Sequence, residues 1–407
     1  MAADVPTVSL IIVSRHRPAM LARCLTAVAQ MDHPAFEVVV VADPAGLAVA
    51  RTYPVKTVLC DERNISAARN LGIVAAAGAV VAFIDDDAVP EPLWLAHLTR
   101  PFVDPQVVAA GGFVVGWNGI SFEWKGGKVD RLLGTHTMPV PEDRISLHLG
   151  QPGIAVEIKG VNCAYRRDVL AEMGGFDPLL RYYLDETEVN LRIADRIGLT
   201  AIVPMARVHH RKAASAQRSA DRTPLSLHDV GFSSAITLRR HGATVEEQAA
   251  ARDAMRIRER HRLLAMVGAG RIKQMDVGPL MASLDQGFSE GTAACLQPLV
   301  PIDPGTAEFL PFPSPAREVI ELVGRAWRTR TLRARARRLV AEGRIVRLFL
   351  FSPTALFHRL AFKDGYWCQS GGLFGKSDRN DPIFCLYSMR KRHARESERF
   401  SGGFRNS

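Results

Sequence analysis

The chain has 407 residues, of which 47% are hydrophobic, so it can bury a core in one large domain with an appendage or in two domains. Its longest apolar stretch, residues 71–84, is shorter than the roughly 20 residues of a membrane-spanning helix, and we predict no transmembrane helix. Six scattered cysteines without Cys-x-x-Cys spacing argue against a zinc ribbon or a disulfide framework. The first residues do not resemble a secretory signal, so we expect a cytoplasmic protein.

The net charge of +10 is divided unevenly along the chain. Residues 1–210 hold 19 Lys and Arg against 23 Asp and Glu, whereas residues 211–407 hold 33 against 19. The two halves therefore have different electrostatic partners. A basic half can meet nucleic acid, anionic lipid or a phosphorylated substrate, and charge alone does not choose among them.

The amino-terminal part alternates strand and helix patterns in strict succession, which implies a mainly parallel sheet with helices on both faces. Right-handed crossovers then place the carboxyl ends of the parallel strands on one edge. The predicted elements are strands at residues 8–13, 37–42, 55–59 and 80–84, and helices at residues 18–30 and 66–77.

Three consecutive aspartates, residues 85–87, follow the fourth predicted strand, and Asp43 follows the second. These carboxylates should lie on the same edge of the sheet, where open α/β folds bind ligands. Hard oxygen ligands on a short turn suit Mg²⁺ or Mn²⁺, which can neutralise a bound diphosphate. The alternative is that one Asp caps a helix beginning near Pro92 and the others are merely solvated.

The pattern becomes irregular over residues 113–153, which predicts loops and short antiparallel strands. A strand at 161–165 and a short helix follow, and then a second helix whose first turn carries Asp185, Glu186 and Glu188. Acidic residues are favoured in a first turn by the helix dipole, so this cluster also has a purely structural explanation.

Beyond residue 213 the pattern predicts basic helical segments, as at 252–267 and 317–347, with a Pro-rich linker or extended strap at 297–315 between them. Between Arg325 and Arg347 nine arginines occur with one acid, Glu342. A basic amphipathic helix over 325–347 predicts contact with an anionic membrane surface. The alternative is a helix packed on the amino-terminal domain with a solvated basic face.

Six segments occur in a characteristic order and spacing: VSLIIVSRHRP, EVVVVADP, NISAARNLGIVAAAGAVVAFIDDDAVPEPLWL, KGVNCAYRRDVLAEMGGFDP, LDETEVNLRI and PMARVHH. This set resembles family 2 glycosyltransferases of the GT-A fold, over about residues 8–212. The resemblance implies a Rossmann-like, mainly parallel sheet, followed here by a mostly helical basic region. It also implies inverting transfer of a sugar from a nucleoside diphosphate sugar to an acceptor hydroxyl, with Mg²⁺ or Mn²⁺.

The resemblance assigns roles to the residues that match the family's motifs. Asp85 and Asp87 match its DxD pair and, with His210 or the neighbouring His209, would approach the metal and diphosphate. A histidine here would otherwise be structural. The donor-binding residues are then Asp43, Arg69, Asp85 and Asp86.

Glu186 matches the family's general base, with Asp185 as the competing candidate because the two acids are exchanged relative to the common order. Ala42 replaces an acid, and His16 stands where Asn is frequent. We find no QxxRW motif after Glu186, so a single addition per encounter is expected rather than processive synthesis.

The predicted organisation is a catalytic domain over 1–212, a helical extension over 213–300 and a basic region over 301–407. The catalytic domain divides into a nucleotide-sugar half at about 1–110 and an acceptor half at about 111–212. The predicted function is sugar transfer to a saccharide or lipid-linked acceptor in surface polysaccharide or glycolipid assembly, peripheral to the inner face of the cytoplasmic membrane.

Three alternative functions fit the sequence less well. A degenerate scaffold serving as a membrane-associated adaptor would not need both carboxylate clusters. A sugar nucleotidyltransferase needs a Gly-rich loop after the first strand, which SRHRPAML does not supply. Nucleic-acid binding lacks a recognisable motif, so no nucleic-acid partner is expected.

Overall fold

The computed structural model describes residues 6–116, 118–211, 217–219, 221, 223–303, 305–378, 380–399 and 401–404. Its first part alternates strands and helices as the sequence predicts. These elements are β1 (Val8–Ser14), α1 (Pro18–Val28), β2 (Phe36–Ala42), α2 (Pro44–Ala50), β3 (Lys56–Leu59), α3 (Ile65–Ala75) and β4 (Val80–Asp85).

The next part consists of short strands, three helices and two longer strands. These elements are β5 (Ala88–Pro90), α4 (Trp94–Thr99), β6 (Val107–Val115), β7 (Phe122–Trp124), β8 (Gly127–Asp130), β9 (Thr135–His136), β10 (Ser146–Leu149), β11 (Ile154–Glu157), β12 (Cys163–Arg166), α5 (Arg167–Glu172), α6 (Asp185–Asp195) and β13 (Leu199–His210). The predicted antiparallel character of residues 113–153 is confirmed, since β7 to β10 all pair antiparallel.

The central sheet has the order β10-β13-β6-β12-β4-β1-β2-β3, with β5 on β13 and β7 on β6. Strands β3, β2, β1 and β4 are mutually parallel, so their carboxyl ends share one edge. Helices α1 and α4 bury their apolar residues on one face, and α3, α5 and α6 on the other. The predicted α/β architecture is therefore confirmed.

Close packing of a loop on β1 explains one of the glycines in this core. A Cβ on Gly78 would lie 2.6 Å from the backbone nitrogen of Ser9. The Ser9 hydroxyl accepts the N–H of Gly78 at 2.8 Å and donates to Glu37 at 2.6 Å. The turn before β4 is thus fastened directly to β1, which fixes where β4 and the aspartates after it begin.

Three helices follow β13: α7 (His228–Arg240), α8 (Val245–Gly268) and α9 (Val277–Ala293). They share an apolar cluster of their own, in which Leu238, Leu263 and Leu284 are buried. The Pro-rich passage is an extended strap on the first part of the chain. Phe312 donates its N–H to the Phe36 carbonyl at 2.8 Å, and their rings lie 5.2 Å apart.

The last part contains a separate four-stranded sheet as well as helices. Its elements are β14 (Val319–Arg325), α10 (Thr329–Ala341), β15 (Ile345–Ser352), β16 (Arg359–Lys363), β17 (Tyr366–Gly372) and α11 (Met389–Arg399). The helix predicted over 317–347 is therefore wrong in extent. Strands β14 and β15 occupy its two ends because they pair with each other in parallel, which overrides their local helical pattern.

Helix α10 packs its narrow apolar stripe on this sheet. Leu332 and Ala336 are buried against Leu322 of β14 and Val346 of β15. The apolar face on which the predicted membrane contact of 325–347 depended is therefore covered. Among the described residues, no helix is both long and apolar enough to cross a membrane.

Candidate active site

A cavity of about 750 Å³ opens at the carboxyl edge of the parallel strands. The loops after β1 and β4, the start of α3, the entry to α6 and the end of β13 form its walls. Of the residues predicted for the site, six lie on these walls: Arg69, Asp85, Asp87, Asp185, Glu186 and His210.

Asp85, Asp87 and His210 form a cluster that fits a metal ion. One potential ligand atom from each lies within 4.8 Å of the other two. The His210 Nε2 is 3.2 Å from an Asp87 oxygen, and its Nδ1 is 3.6 Å from Glu123. Burial alone would lower the pKa of His210, but hydrogen bonding to Asp87 and Glu123 outweighs it and raises the pKa to about 9. Two carboxylates and an imidazole are a donor set suited to a divalent cation, as predicted.

The neighbouring His209 has a different environment, which separates the two histidines that the sequence left open. Its Nε2 lies 2.9 Å from the fully buried Glu91, and its ring is 4.7 Å from that of Trp367. Successive residues of a strand point to opposite faces, so His209 packs inward while His210 faces the cavity.

Asp86 and Asp43 lie beside the cavity but are not among the described residues that form its walls. Asp86 is fully buried, 2.7 Å from both Arg17 and the Ser14 hydroxyl, and burial raises its pKa to about 7 although both partners oppose this. Asp43 accepts the N–H of His16 at 3.0 Å and caps α2. Both carboxylates hold the loops around the cavity, so the structure does not place them as direct donor ligands.

The contact of Asp43 explains an unusual backbone at His16. Its φ is +57°, in the left-handed region that Asn and His adopt more readily than most residues. The Asp43 carboxylate fixes this turn and thereby orients Arg15, His16 and Arg17, which all line the cavity.

Arg69 joins the two carboxylate clusters. Its guanidinium contacts Asp185, lies 3.4 Å from Asp85 and donates to the Gly160 carbonyl at 3.1 Å. Burial would lower the pKa of Arg69, but Asp185 and then Asp85 raise it, so this side chain stays charged. A Cβ at Gly160 would come within 2.7 Å of the guanidinium, which explains the glycine.

Asp185 and Glu186 occupy different positions although they are adjacent in the chain. Asp185 is 4% exposed and held by Arg69, whereas Glu186 is partly exposed on the cavity wall. The turn before α6 is strained, since Tyr183 and Leu184 have φ of +134° and +65°. Such strain persists where surrounding structure fixes it, and it directs the first turn of α6 into the cavity.

Further cavity residues were missed by the sequence reasoning. Lys159 pairs with Glu157 and lies 4.3 Å from the Trp124 ring, and burial, which would lower its pKa, is outweighed by Glu157 and Glu186. Arg63 and Arg181 also line the cavity. No motif marked these residues. The only available signal for Lys159 was its place in the segment KGVNC, just before β12.

Comparison with known proteins relates the first part of the chain to a family. Residues 9–174 match the family described as Glycosyl transferase family 2. The chain is 32% identical over 167 residues to the glucosyl-dolichyl phosphate glucuronosyltransferase of Haloferax volcanii, covering 37% of this chain and 49% of that protein. It is 27% identical over 246 residues to the O-antigen biosynthesis protein RfbC of Myxococcus xanthus, covering 54% of this chain and 18% of that protein. The chain thus spans about half or less of the length of these relatives.

Two solved structures share part of the arrangement, each with a TM-score of 0.41. One is GalNAc-T7 with UDP, GalNAc and Mn²⁺, at 20% identity over 51% of this chain and 44% of that chain. The other is the mannosyltransferase PcManGT from Pyrobaculum calidifontis with GDP-Man and Mn²⁺, at 18% identity over 70% of this chain and 87% of that chain. The part of this chain that matches glycosyltransferase family 2 is residues 9–174.

Proposed function

We propose that this chain, through its family 2 glycosyltransferase domain, transfers a sugar from a nucleoside diphosphate sugar to an acceptor hydroxyl with inversion. One observation carries the proposal. The cluster of Asp85, Asp87 and His210 and the carboxylate of Glu186 line the same cavity, and Arg69 lies between them. A metal site and a base on one cavity are what this displacement requires.

Asp85, Asp87 and His210 would hold Mg²⁺ or Mn²⁺, and the cation would supply positive charge to the departing diphosphate. Arg17 lines the same part of the cavity and lies 3.4 Å from Asp87. Arg63 and Arg181 add further positive charge to the walls. A nucleoside diphosphate is the donor chemistry that this lining favours.

Glu186 takes the proton of the acceptor hydroxyl as its oxygen attacks the anomeric carbon. The bond between that carbon and the diphosphate oxygen breaks, and the diphosphate leaves with the electron pair, so the configuration inverts. Asp185 positions Arg69 and does not act as the base, because its carboxylate is buried in the ion pair.

The acceptor is a saccharide or a lipid-linked saccharide. One relative is named for acting on a glucosyl-dolichyl phosphate and the other for O-antigen biosynthesis. A role in surface polysaccharide or glycolipid assembly, with peripheral attachment to the inner face of the cytoplasmic membrane, follows as part of the proposal. The three-part division at residues 212 and 300 also stays a prediction.

A donor screen tests the function without knowledge of the acceptor. The protein is incubated with a panel of nucleoside diphosphate sugars and Mg²⁺ or Mn²⁺, and released nucleoside diphosphate is measured. We expect slow hydrolysis of one donor that EDTA abolishes and Asp87→Ala eliminates, while Asp168→Ala, on exposed α5 surface, retains it. Hydrolysis that is insensitive to EDTA would contradict the metal site. Donor binding without any turnover would instead favour a degenerate scaffold.

A further inference from the structure

The small sheet of the carboxyl-terminal part presents three chain segments at one edge. Strands β14, β15 and β17 are parallel, and Arg325, Phe351 and Gly371 lie side by side at their carboxyl ends. The described residues that leave these ends are 326–328, 353–358, 373–378 and 380–387, the last two ranges belonging to one segment. We call this edge, with these three segments, the apolar edge.

The apolar edge carries the exposed Trp and Phe side chains of the described residues. Among the residues that the structure describes, the exposed Trp and Phe side chains are Trp327, Phe357 and Phe384, at 72%, 65% and 54% exposure. All three lie on the apolar edge although they are far apart in sequence. Leu356, Ile383 and Leu386 add exposed aliphatic surface there. Isolated exposed apolar residues are ordinary, but such a concentration marks an interaction surface.

Backbone hydrogen bonds hold two of the three segments in place. Phe374 donates its N–H to the Thr354 carbonyl at 3.1 Å, and its own carbonyl accepts the N–H of Cys385 at 3.0 Å. Gly372 donates to the Leu356 carbonyl at 2.8 Å. The rings of Phe374 and Phe384 lie 5.3 Å apart. The exposed side chains are therefore displayed by fixed loops.

The surroundings of the apolar edge are basic. Arg328 and Arg330 stand exposed at the start of α10, and Arg390 and Lys391 at the start of α11. The Lys376 ammonium lies 6.0 Å from the Phe357 ring. Two nearby acids are engaged by arginines: Asp381 pairs with Arg395, and Asp378 pairs with Arg399.

We propose that the apolar edge docks this protein on an anionic membrane surface, with Trp327, Phe357 and Phe384 inserted among the headgroups. Tryptophan and other apolar side chains at loop tips suit the interface, and a basic rim matches anionic lipid. Charge complementarity favours this occupant over a second copy of the same chain, whose basic rim would repel. The inference rests on the membrane attachment within the proposed function. It assigns that attachment to the loops of the apolar edge and not to the apolar stripe of α10.

Vesicle binding by the full chain tests the proposal. The protein is floated with vesicles of phosphatidylcholine alone or mixed with phosphatidylglycerol. We expect binding only to the mixed vesicles and a loss of affinity as salt rises. The double change Phe357→Ser with Phe384→Ser should weaken binding at least about tenfold, since two inserted rings are lost. The matched control, Leu225→Ser with Ile257→Ser, alters exposed apolar residues elsewhere and should leave binding unchanged.

A second pair of variants separates the apolar edge from the rest of α10. Arg328→Gln with Arg330→Gln lies at the edge and should weaken binding about fivefold per charge. Arg337→Gln with Arg338→Gln lies toward the other end of the helix and should change binding less. Emission of Trp327 should shift to the blue with mixed vesicles, and Trp327→Phe should remove that shift.

Equal binding to neutral and anionic vesicles, or equal loss in both arginine pairs, would overturn the proposal. A concentration-dependent dimer that dissociates in the Phe357→Ser and Phe384→Ser variant, without vesicle binding, would show that a second copy covers the edge. Donor hydrolysis measured without vesicles should be unaffected by every one of these changes. Failure of the membrane surface is thereby distinguished from failure of the proposed activity.

Discussion

Replacing Glu186 by Gln tests the assignment of the general base most directly. The side chain lies partly exposed on the cavity wall, so the amide fits without leaving a buried charge unpaired. Only proton acceptance is lost, and this contribution is realised in the transition state. We expect turnover to fall about 10²- to 10⁴-fold, with donor affinity and thermal stability close to those of the unchanged protein.

Asp185→Asn should instead lower the stability of the protein and its affinity for the donor. This carboxylate is 4% exposed and contacts Arg69, whose charge would then be shared with the more exposed Asp85 alone. Removing one partner of a buried ion pair costs about 3 to 5 kcal/mol. The variant should therefore unfold at lower urea concentration, and any loss of activity should accompany weaker donor binding.

Three measurements separate the two outcomes: single-turnover sugar transfer or donor hydrolysis, donor titration by calorimetry, and urea unfolding. Glu186→Asp serves as a conservative variant that should retain part of the turnover. If Asp185→Asn is stable, binds donor normally and is inactive, while Glu186→Gln keeps near-full turnover, the assignment is wrong and Asp185 is the base.

Three more changes follow from the structure. Asp85→Asn should weaken Mn²⁺ binding by more than about tenfold, as measured by electron paramagnetic resonance. The control Asp61→Asn, which alters an exposed ion pair with Arg15, should leave Mn²⁺ binding unchanged. Burial lowers the pKa of His33 to about 4 in the folded protein, below the value of about 6.5 in the unfolded chain. The folded protein therefore holds His33 in its neutral form, and the free energy of unfolding decreases as the pH falls from about 6.5 to about 4. From pH 7 to pH 5 the loss should be about 2 kcal/mol in urea unfolding, and His33→Gln should remove that part of the pH dependence. Trp367→Ala removes a side chain that is 1% exposed and should cost about 3 to 5 kcal/mol. The loss should appear as early proteolysis of the carboxyl-terminal part, and unchanged proteolysis would show that Trp367 does not stabilise that part.

The sequence pattern predicted a helix where the small carboxyl-terminal sheet has β14 and the start of β15. Residues 317–347 combine arginine and alanine, which favour helix, with the valine and isoleucine of β14. The conformation of β14 depends on pairing with β15, 26 residues further along the chain, and that of β15 on pairing with β17, 20 residues further still. Local pattern carries no information on such pairing, and the apolar edge that results from it was likewise unpredictable.

In the candidate site, too, the sequence determined some features and only the tertiary structure decided others. By itself the sequence determined that Asp85 and Asp87 follow a buried strand, that parallel strands bring them to the same edge as Asp43, and that Glu186 lies in the first turn of a helix, because periodicity and chain order fix these features. Only the tertiary structure decided which neighbours face the cavity. Asp86, Asp43 and Asp185 became buried partners of Arg17, His16 and Arg69, because burying a carboxylate requires a cation or an N–H donor at a position that only folding supplies.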